Sequence, residues 1–200
     1  VSDVVIIDSG GANLASVSNA LARLGVDAPI TLDCDMIRRA RRLLLPGVGA
    51  AAPVMQRLRT SGVADLLRTL RTPLLGICVG MQVLFEHSAE GDTACLGLLP
   101  GSVQRLDAAP KVRVPHMGWN RLRRERQTPL LDRVDDGTQV YFVHSYAAAV
   151  DDACIASVVH GRAYAAAIQR GHIAGVQFHP ELSARAGARI LENFLQWQPA

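Results

Sequence analysis

The sequence predicts an α/β fold: a single domain, 1–200, with a mixed, mostly parallel sheet flanked by helices. Three observations predict it. Short apolar runs alternate with helical patterns through the first half, the rhythm of strands covered on both faces by crossover helices. The second half is a series of strand-like segments with tight connections, which suits an antiparallel extension of the sheet. Between them, Gly76-Ile77-Cys78-Val79-Gly80 joins an apolar run to a helical pattern. That is the cysteine form of a nucleophile elbow.

Residues 4–8 form the first apolar run, which ends at Ser9-Gly10-Gly11. Asn13 caps a helix to about residue 24, with Leu14, Val17, Leu21 and Leu24 on one face and Gly25 as its stop. Residues 28–31 read as a second strand, and Asp33 starts a weak helix to about residue 41. Residues 43–45 are a third strand, running into Pro46-Gly47-Val48-Gly49. Helical patterns at 54–58 and 63–70 precede a fourth strand at 74–77, and a further helix begins with residues 81–85. Strands are then expected at 103–106, 111–114, 139–143, 155–159, 165–169 and 173–178. Asp136-Gly137 and Arg170-Gly171 mark turns. A closing helix over 184–197, capped by Ser183, turns Ile190, Leu191, Phe194, Leu195 and Trp197 inward.

Composition narrows the function classes. The chain is 49% hydrophobic and 20% charged, values ordinary for a globular protein. No apolar run approaches the ~20 residues that cross a bilayer, and residues 4–7 are too short for a signal h-region. The net charge of +3 is carried by arginine, with Lys111 as the one lysine. The run at 121–126 has no interleaved aromatics, so it reads as a solvated face and not as a nucleic-acid surface. Cys34, Cys78, Cys95 and Cys154 lie far apart, without zinc-ligand spacing. They read as reduced thiols of a cytoplasmic protein, and no metal or cofactor is expected.

The elbow carries the chemistry. Open α/β sheets place ligands at the carboxyl ends of their strands, and Cys78 lies at such an end. Gly76 and Gly80 allow strand and helix backbones to approach closely. The following helix N-terminus favours a thiolate, and the Val79 amide is aimed where an oxyanion forms. About a hundred residues later, Val176-Gln177-Phe178-His179-Pro180-Glu181 supplies an imidazole and a carboxylate. His179 is the candidate base and Glu181 its orienting acid. His144, at a strand end, is the next candidate base. A second oxyanion donor is expected in the Pro46-Gly47-Val48-Gly49 loop, at the same sheet edge.

Gly76-Ile77-Cys78-Val79-Gly80-Met81-Gln82 with Phe178-His179-Pro180-Glu181 resembles the triad (class I) glutamine amidotransferases, of flavodoxin-like fold. Four further segments resemble the glutaminase subunits of imidazole glycerol phosphate synthases. They begin at Ile7, Leu45, Pro115 and Tyr141; Pro115-His116-Met117-Gly118-Trp119-Asn120 is the most specific. The resemblance spans nearly the whole chain.

It implies that Cys78 attacks the side-chain amide of L-glutamine, giving a glutamyl thioester and ammonia. His179 would move the protons, and Val79, Val48 and Gly49 would hold the oxyanion. Gly49, Gln82, Glu90, Ser145 and Tyr146 would bind the substrate. Asn13, Met117, Trp119 and Tyr141 would face a separate cyclase subunit, a (β/α)8 barrel. That subunit would use the ammonia to make imidazole glycerol phosphate and aminoimidazole carboxamide ribonucleotide in histidine biosynthesis. Ser9 stands where the family has Tyr, Leu182 where it has Lys, and Val79 where Leu is commoner. Another amidotransferase's glutaminase subunit, or a gamma-glutamyl hydrolase-like enzyme, is the alternative.

Overall fold

The computed structural model describes residues 3–11, 13–110 and 112–199. Its first half is the alternating series: β1 (Val4–Ile7), α1 (Asn13–Arg23), β2 (Ile30–Thr31), α2 (Cys34–Arg39), β3 (Arg42–Gly47), α3 (Ala51–Thr60), α4 (Val63–Thr69), β4 (Leu74–Cys78) and α5 (Val79–Gln82). The second half adds β5 (His87–Ser88), β6 (Thr93–Ala94), β7 (Ser102–Arg105), β8 (His116–Arg121), β9 (Arg123–Arg124), β10 (Gln139–His144) and β11 (Tyr146–Ala148). It ends with β12 (Cys154–His160), β13 (Arg162–Arg170), β14 (Ile173–Val176) and α6 (Ala184–Gln196).

The main sheet has eight strands in the order β2-β1-β3-β4-β14-β13-β12-β9. Pairing is parallel from β2 through β14 and antiparallel beyond. The inner parallel strands β1, β4 and β14 are buried along their whole length, and β3 from Leu43 on. Leu43, Leu44, Leu45, Leu75 and Ile77 are all fully buried. On α6, Ile190, Leu191, Phe194 and the following Trp197 join the same core, as expected. The edge strand β9 is two arginines, a charged edge that discourages further pairing. Arg126 of the same run donates to the Gln169 carbonyl at 2.6 Å, so part of it anchors structure.

Three local expectations need correction. Of the strand expected at 111–114, residues 112–114 form none. Lys111 lies outside the described residues, and Val112 makes only an isolated bridge to Ala109. The strand is β8 instead, which pairs antiparallel with β10 in a separate ribbon. One face of β8 is exposed, so its Met, Gly and Trp conceal the apolar alternation that marks a strand. The helix after the elbow ends at Gln82, because Leu84 and Phe85 turn to meet the 96–99 backbone. Ser183 precedes α6, yet its hydroxyl caps nothing there. It donates to the His179 carbonyl at 2.6 Å and accepts from the Tyr141 amide at 2.9 Å.

Candidate active site

β4 ends at Cys78 with φ +56° and ψ −114°, a backbone conformation that costs a non-glycine residue free energy. The elbow is held there by close approach. A Cβ on Gly80 would lie 1.7 Å from the Leu45 carbonyl oxygen of β3. A Cβ on Gly76 would lie 2.6 Å from the Gly80 oxygen. Because α5 is a single turn of four residues, its dipole adds little to the stability of a thiolate.

His179 follows β14 and begins a 3-10 turn, Pro180–Leu182. Its Nδ1 lies 2.7 Å from Glu181 Oε1, and the two side chains are 3% and 0% exposed. The turn is tied to the exposed ribbon, since the His179 amide donates to the Tyr141 carbonyl at 2.9 Å. Among the described residues, His179 Nε2 has no hydrogen-bond partner. Burial presses the imidazole pKa down, but the facing Cys78 sulfur and the Glu181 carboxylate outweigh it and raise the pKa above its ordinary value. Asn13 Nδ2 also lies 3.4 Å from His179 Nδ1. Glu181 is much the nearer and its carboxylate accepts the Nδ1–H, whereas the Asn13 NH2 carries only donors and cannot accept it.

A cavity of about 600 Å³ brings most of the expected residues together. Cys78, Val79, His179, Val48 and Gly49 line it with Gln82, Glu90, Ser145, Tyr146 and Asn13. Glu181 stands behind His179. Glu90 accepts from the Ala51 amide at 3.0 Å, so it also caps α3. Gln82 Nε2 donates to the Tyr146 carbonyl at 2.8 Å and to Gln177 Oε1 at 3.1 Å. Both hydrogens are committed, and any ligand contact falls to its oxygen. Met117, Trp119 and Tyr141 lie outside the cavity on the β8–β10 ribbon. Met117 is 63% and Trp119 51% exposed, and Tyr141 meets Trp119 edge to face at 6.0 Å.

Gln177 was not singled out from the sequence. It is fully buried, and its Nε2 lies 3.8 Å from the Cys78 sulfur. The available signal was a polar residue between the apolar run 173–176 and Phe178, which must find a partner if buried. Both ring nitrogens of His144, the next candidate base, are engaged: its Nδ1 meets the Tyr146 carbonyl at 2.8 Å and its Nε2 meets His116 Nδ1 at 3.0 Å. Ser9, at the departure noted above, is buried and donates to the Pro46 carbonyl, tying the β1–α1 loop to the 46–49 loop. Leu182 presents an apolar side chain at the cavity rim, where no ion pair can form. Burial pushes the Cys95 and Cys154 thiols up to about 11 and about 12, so neither competes as a nucleophile. Among the described residues, no helix is long and apolar enough to cross a membrane.

A strained cysteine elbow and a buried His–Glu pair at the edge of a mostly parallel sheet are the arrangement of a class-I glutamine amidotransferase domain. The chain matches the glutamine amidotransferase class-I family over residues 5–197 and belongs to it. A solved glutamine amidotransferase superposes with a TM-score of 0.75 at 20% identity, covering 97% of each chain, which bears on the fold alone. Within the family the chain stands with the HisH subunits of imidazole glycerol phosphate synthase. It is 53% identical over 200 residues to HisH of Xylella fastidiosa, covering all of both chains. It is 54% identical over 196 residues to HisH of Xanthomonas euvesicatoria pv. vesicatoria, covering 98% of each. It is a glutamine amidotransferase subunit of histidine biosynthesis.

Proposed function

We propose that the cavity hydrolyses L-glutamine through a thioester on Cys78, with His179 and Glu181 completing the triad. The observation that carries this is the buried His179–Glu181 pair, whose free Nε2 opens into the cavity that holds Cys78. A raised imidazole pKa keeps His179 charged at neutral pH, and that charge favours the Cys78 thiolate. The thiolate adds to the amide carbon of glutamine, and the oxyanion takes hydrogen bonds from the backbone at Val79, Val48 and Gly49. Collapse breaks the C–N bond as His179 Nε2 gives its proton to the departing ammonia. Water then attacks the thioester, its proton passes to His179, and glutamate leaves. Glu90 and Gln82 receive the substrate ammonium, while backbone amides at Gly49, Ser145 and Tyr146 receive its carboxylate.

In this proposal the whole chain acts as one domain in the cytoplasm, and its partner is a cyclase subunit with a (β/α)8 barrel. Asn13, Met117, Trp119 and Tyr141 face that partner and the ammonia passes to it. The exposed Met117 and Trp119 support this, because large apolar side chains beside a cavity mark an interaction face. The test is a glutaminase assay of the subunit alone, with the cyclase, and with the cyclase and its nucleotide. Turnover is expected to rise with the cyclase and its ligand; equal rates in all three would refute coupled action. Trp119→Ala should weaken the complex by about 2 kcal/mol, roughly 30-fold in Kd, as buried interface tryptophans do. An unchanged Kd by titration calorimetry would remove Trp119 from the interface.

A further inference from the structure

The cavity wall at Tyr146 is held from behind by a line of polar side chains that starts on β8. Asn120 Nδ2 donates to the Val159 carbonyl at 3.0 Å and lies 3.1 Å from His116 Nε2. His116 Nδ1 lies 3.0 Å from His144 Nε2, and His144 Nδ1 lies 2.8 Å from the Tyr146 carbonyl. Both histidines are buried.

Every proton in this line can be assigned. The Arg121 amide donates to Asn120 Oδ1 at 2.8 Å, so the other end of that amide is NH2. One of its hydrogens goes to the Val159 carbonyl, and the other must go to His116 Nε2. At the far end the Tyr146 carbonyl can only accept, so His144 Nδ1 carries hydrogen. Between these ends each ring has one donor and one acceptor: His116 Nδ1–H donates to His144 Nε2. A proton added to either ring sets two donors against each other and breaks a buried hydrogen bond.

We propose that His116 and His144 are positioning residues: a pair of neutral, Nδ1–H imidazoles that hold the Tyr146 peptide and thereby shape the glutamine pocket. The inference rests on the glutaminase reading of that pocket. The Tyr146 carbonyl is shared. It also accepts from Gln82, whose second hydrogen goes to Gln177 Oε1, so that Gln177 Nε2 faces the Cys78 sulfur. Loss of the His144 bond therefore loosens the residue that binds substrate and the amides that flank the nucleophile.

The surroundings oppose protonation. His116 is stacked between Phe142 at 4.7 Å and His160 at 4.1 Å. Burial, with His144 and His160 adjacent, presses His116 down to about 3. Burial presses His144 down to about 4, with His160 and the triad's His179 adding to it and the Tyr146 carbonyl opposing. Both folded-state values lie below the ordinary 6.5. The stability each ring contributes is therefore complete above pH 6.5 and is lost as pH falls toward the folded values.

The test has two arms. Imidazole nitrogen NMR of the full chain with labelled histidine should show both rings as Nδ1–H tautomers, unchanged from pH 8 to about 5.5. The neutral histidine side chain in water prefers the Nε2–H form, so burial alone does not produce this signature. An Nε2–H tautomer, or titration of either ring near its ordinary value, would overturn the proposal. In the cyclase complex, His144→Asn keeps a donor at the Nδ1 position, and KM for glutamine should stay within about threefold. His144→Leu should raise that KM about tenfold, one lost hydrogen bond, with a smaller fall in kcat. Equal KM for the two variants overturns the proposal. If the leucine variant does not fold, the NMR arm decides on the unaltered protein. Glutaminase activity surviving in Cys78→Ser would instead refute the thioester reading, while the tautomer result would still decide the relay.

Discussion

Cys78→Ser should abolish glutamine-dependent synthesis by the assembled enzyme, by at least about 10³-fold, while synthesis from added ammonium salts continues. The expectation follows from what sits at the elbow. A serine hydroxyl keeps the shape but is not ionised by a neighbouring imidazolium, so the attacking anion disappears. Loss of a group that acts as a unit with its base costs several orders of magnitude in kcat. Nothing else in the cavity replaces it, because Cys95 and Cys154 are buried, high-pKa thiols outside it. The substitution leaves Trp119 and the ribbon unaltered, so the partner should still bind and accept ammonia from solution. Paired assays of the complex with glutamine and with ammonium chloride check this. Loss of both activities, or retention of the glutamine-dependent one, would overturn the division of labour between the subunits.

Gly80→Ala should destabilise the fold by about 3–5 kcal/mol and lower the Tm by about 10 °C. The added Cβ would lie 1.7 Å from the Leu45 carbonyl oxygen and 2.8 Å from its carbon. Both are backbone atoms of β3, a central strand buried from Leu43 on, so no rotamer change relieves the overlap. Either β3 shifts against β1 and β4, or α5 lifts and carries Cys78 with it. Thermal unfolding followed by circular dichroism measures the first cost, and glutaminase activity measures the second. A Tm within 2 °C of the parent would show that the turn can move freely, which the contact geometry forbids.

The two halves of the site were unequally legible in the sequence. Cys78, His179 and Glu181 stood out because their spacing is local: a glycine-flanked thiol after an apolar run, and an imidazole two residues from a carboxylate. The parallel strands were legible for a related reason, since burial on both faces leaves an unbroken apolar run. β8 was not, because its exposed Met117 and Trp119 and its Gly118 blur the alternation. The same strand hid the relay. His116 and His144 are 28 residues apart, and only the register that sets His144 opposite His116 makes them neighbours.

Gln177 shows the same limit. On the chain it is one polar residue before Phe178 and His179. In the fold, β14 lies parallel beside β4, with Val176 opposite Ile77, so the next residues meet at Cys78.

The sequence by itself determined the α/β layering, the elbow and its cysteine, and the His–Glu pair, because each depends on patterns within a few residues. Tertiary structure alone decided that the helix after the elbow is a single turn. It alone decided that Gln82 is committed to Tyr146 and Gln177, and that two histidines back the pocket as hydrogen-bonded neutral rings. Those outcomes depend on strand order and register, which bring groups from distant segments within 3–4 Å. A buried polar group at that range must find a partner, and only the folded chain determines which one it finds.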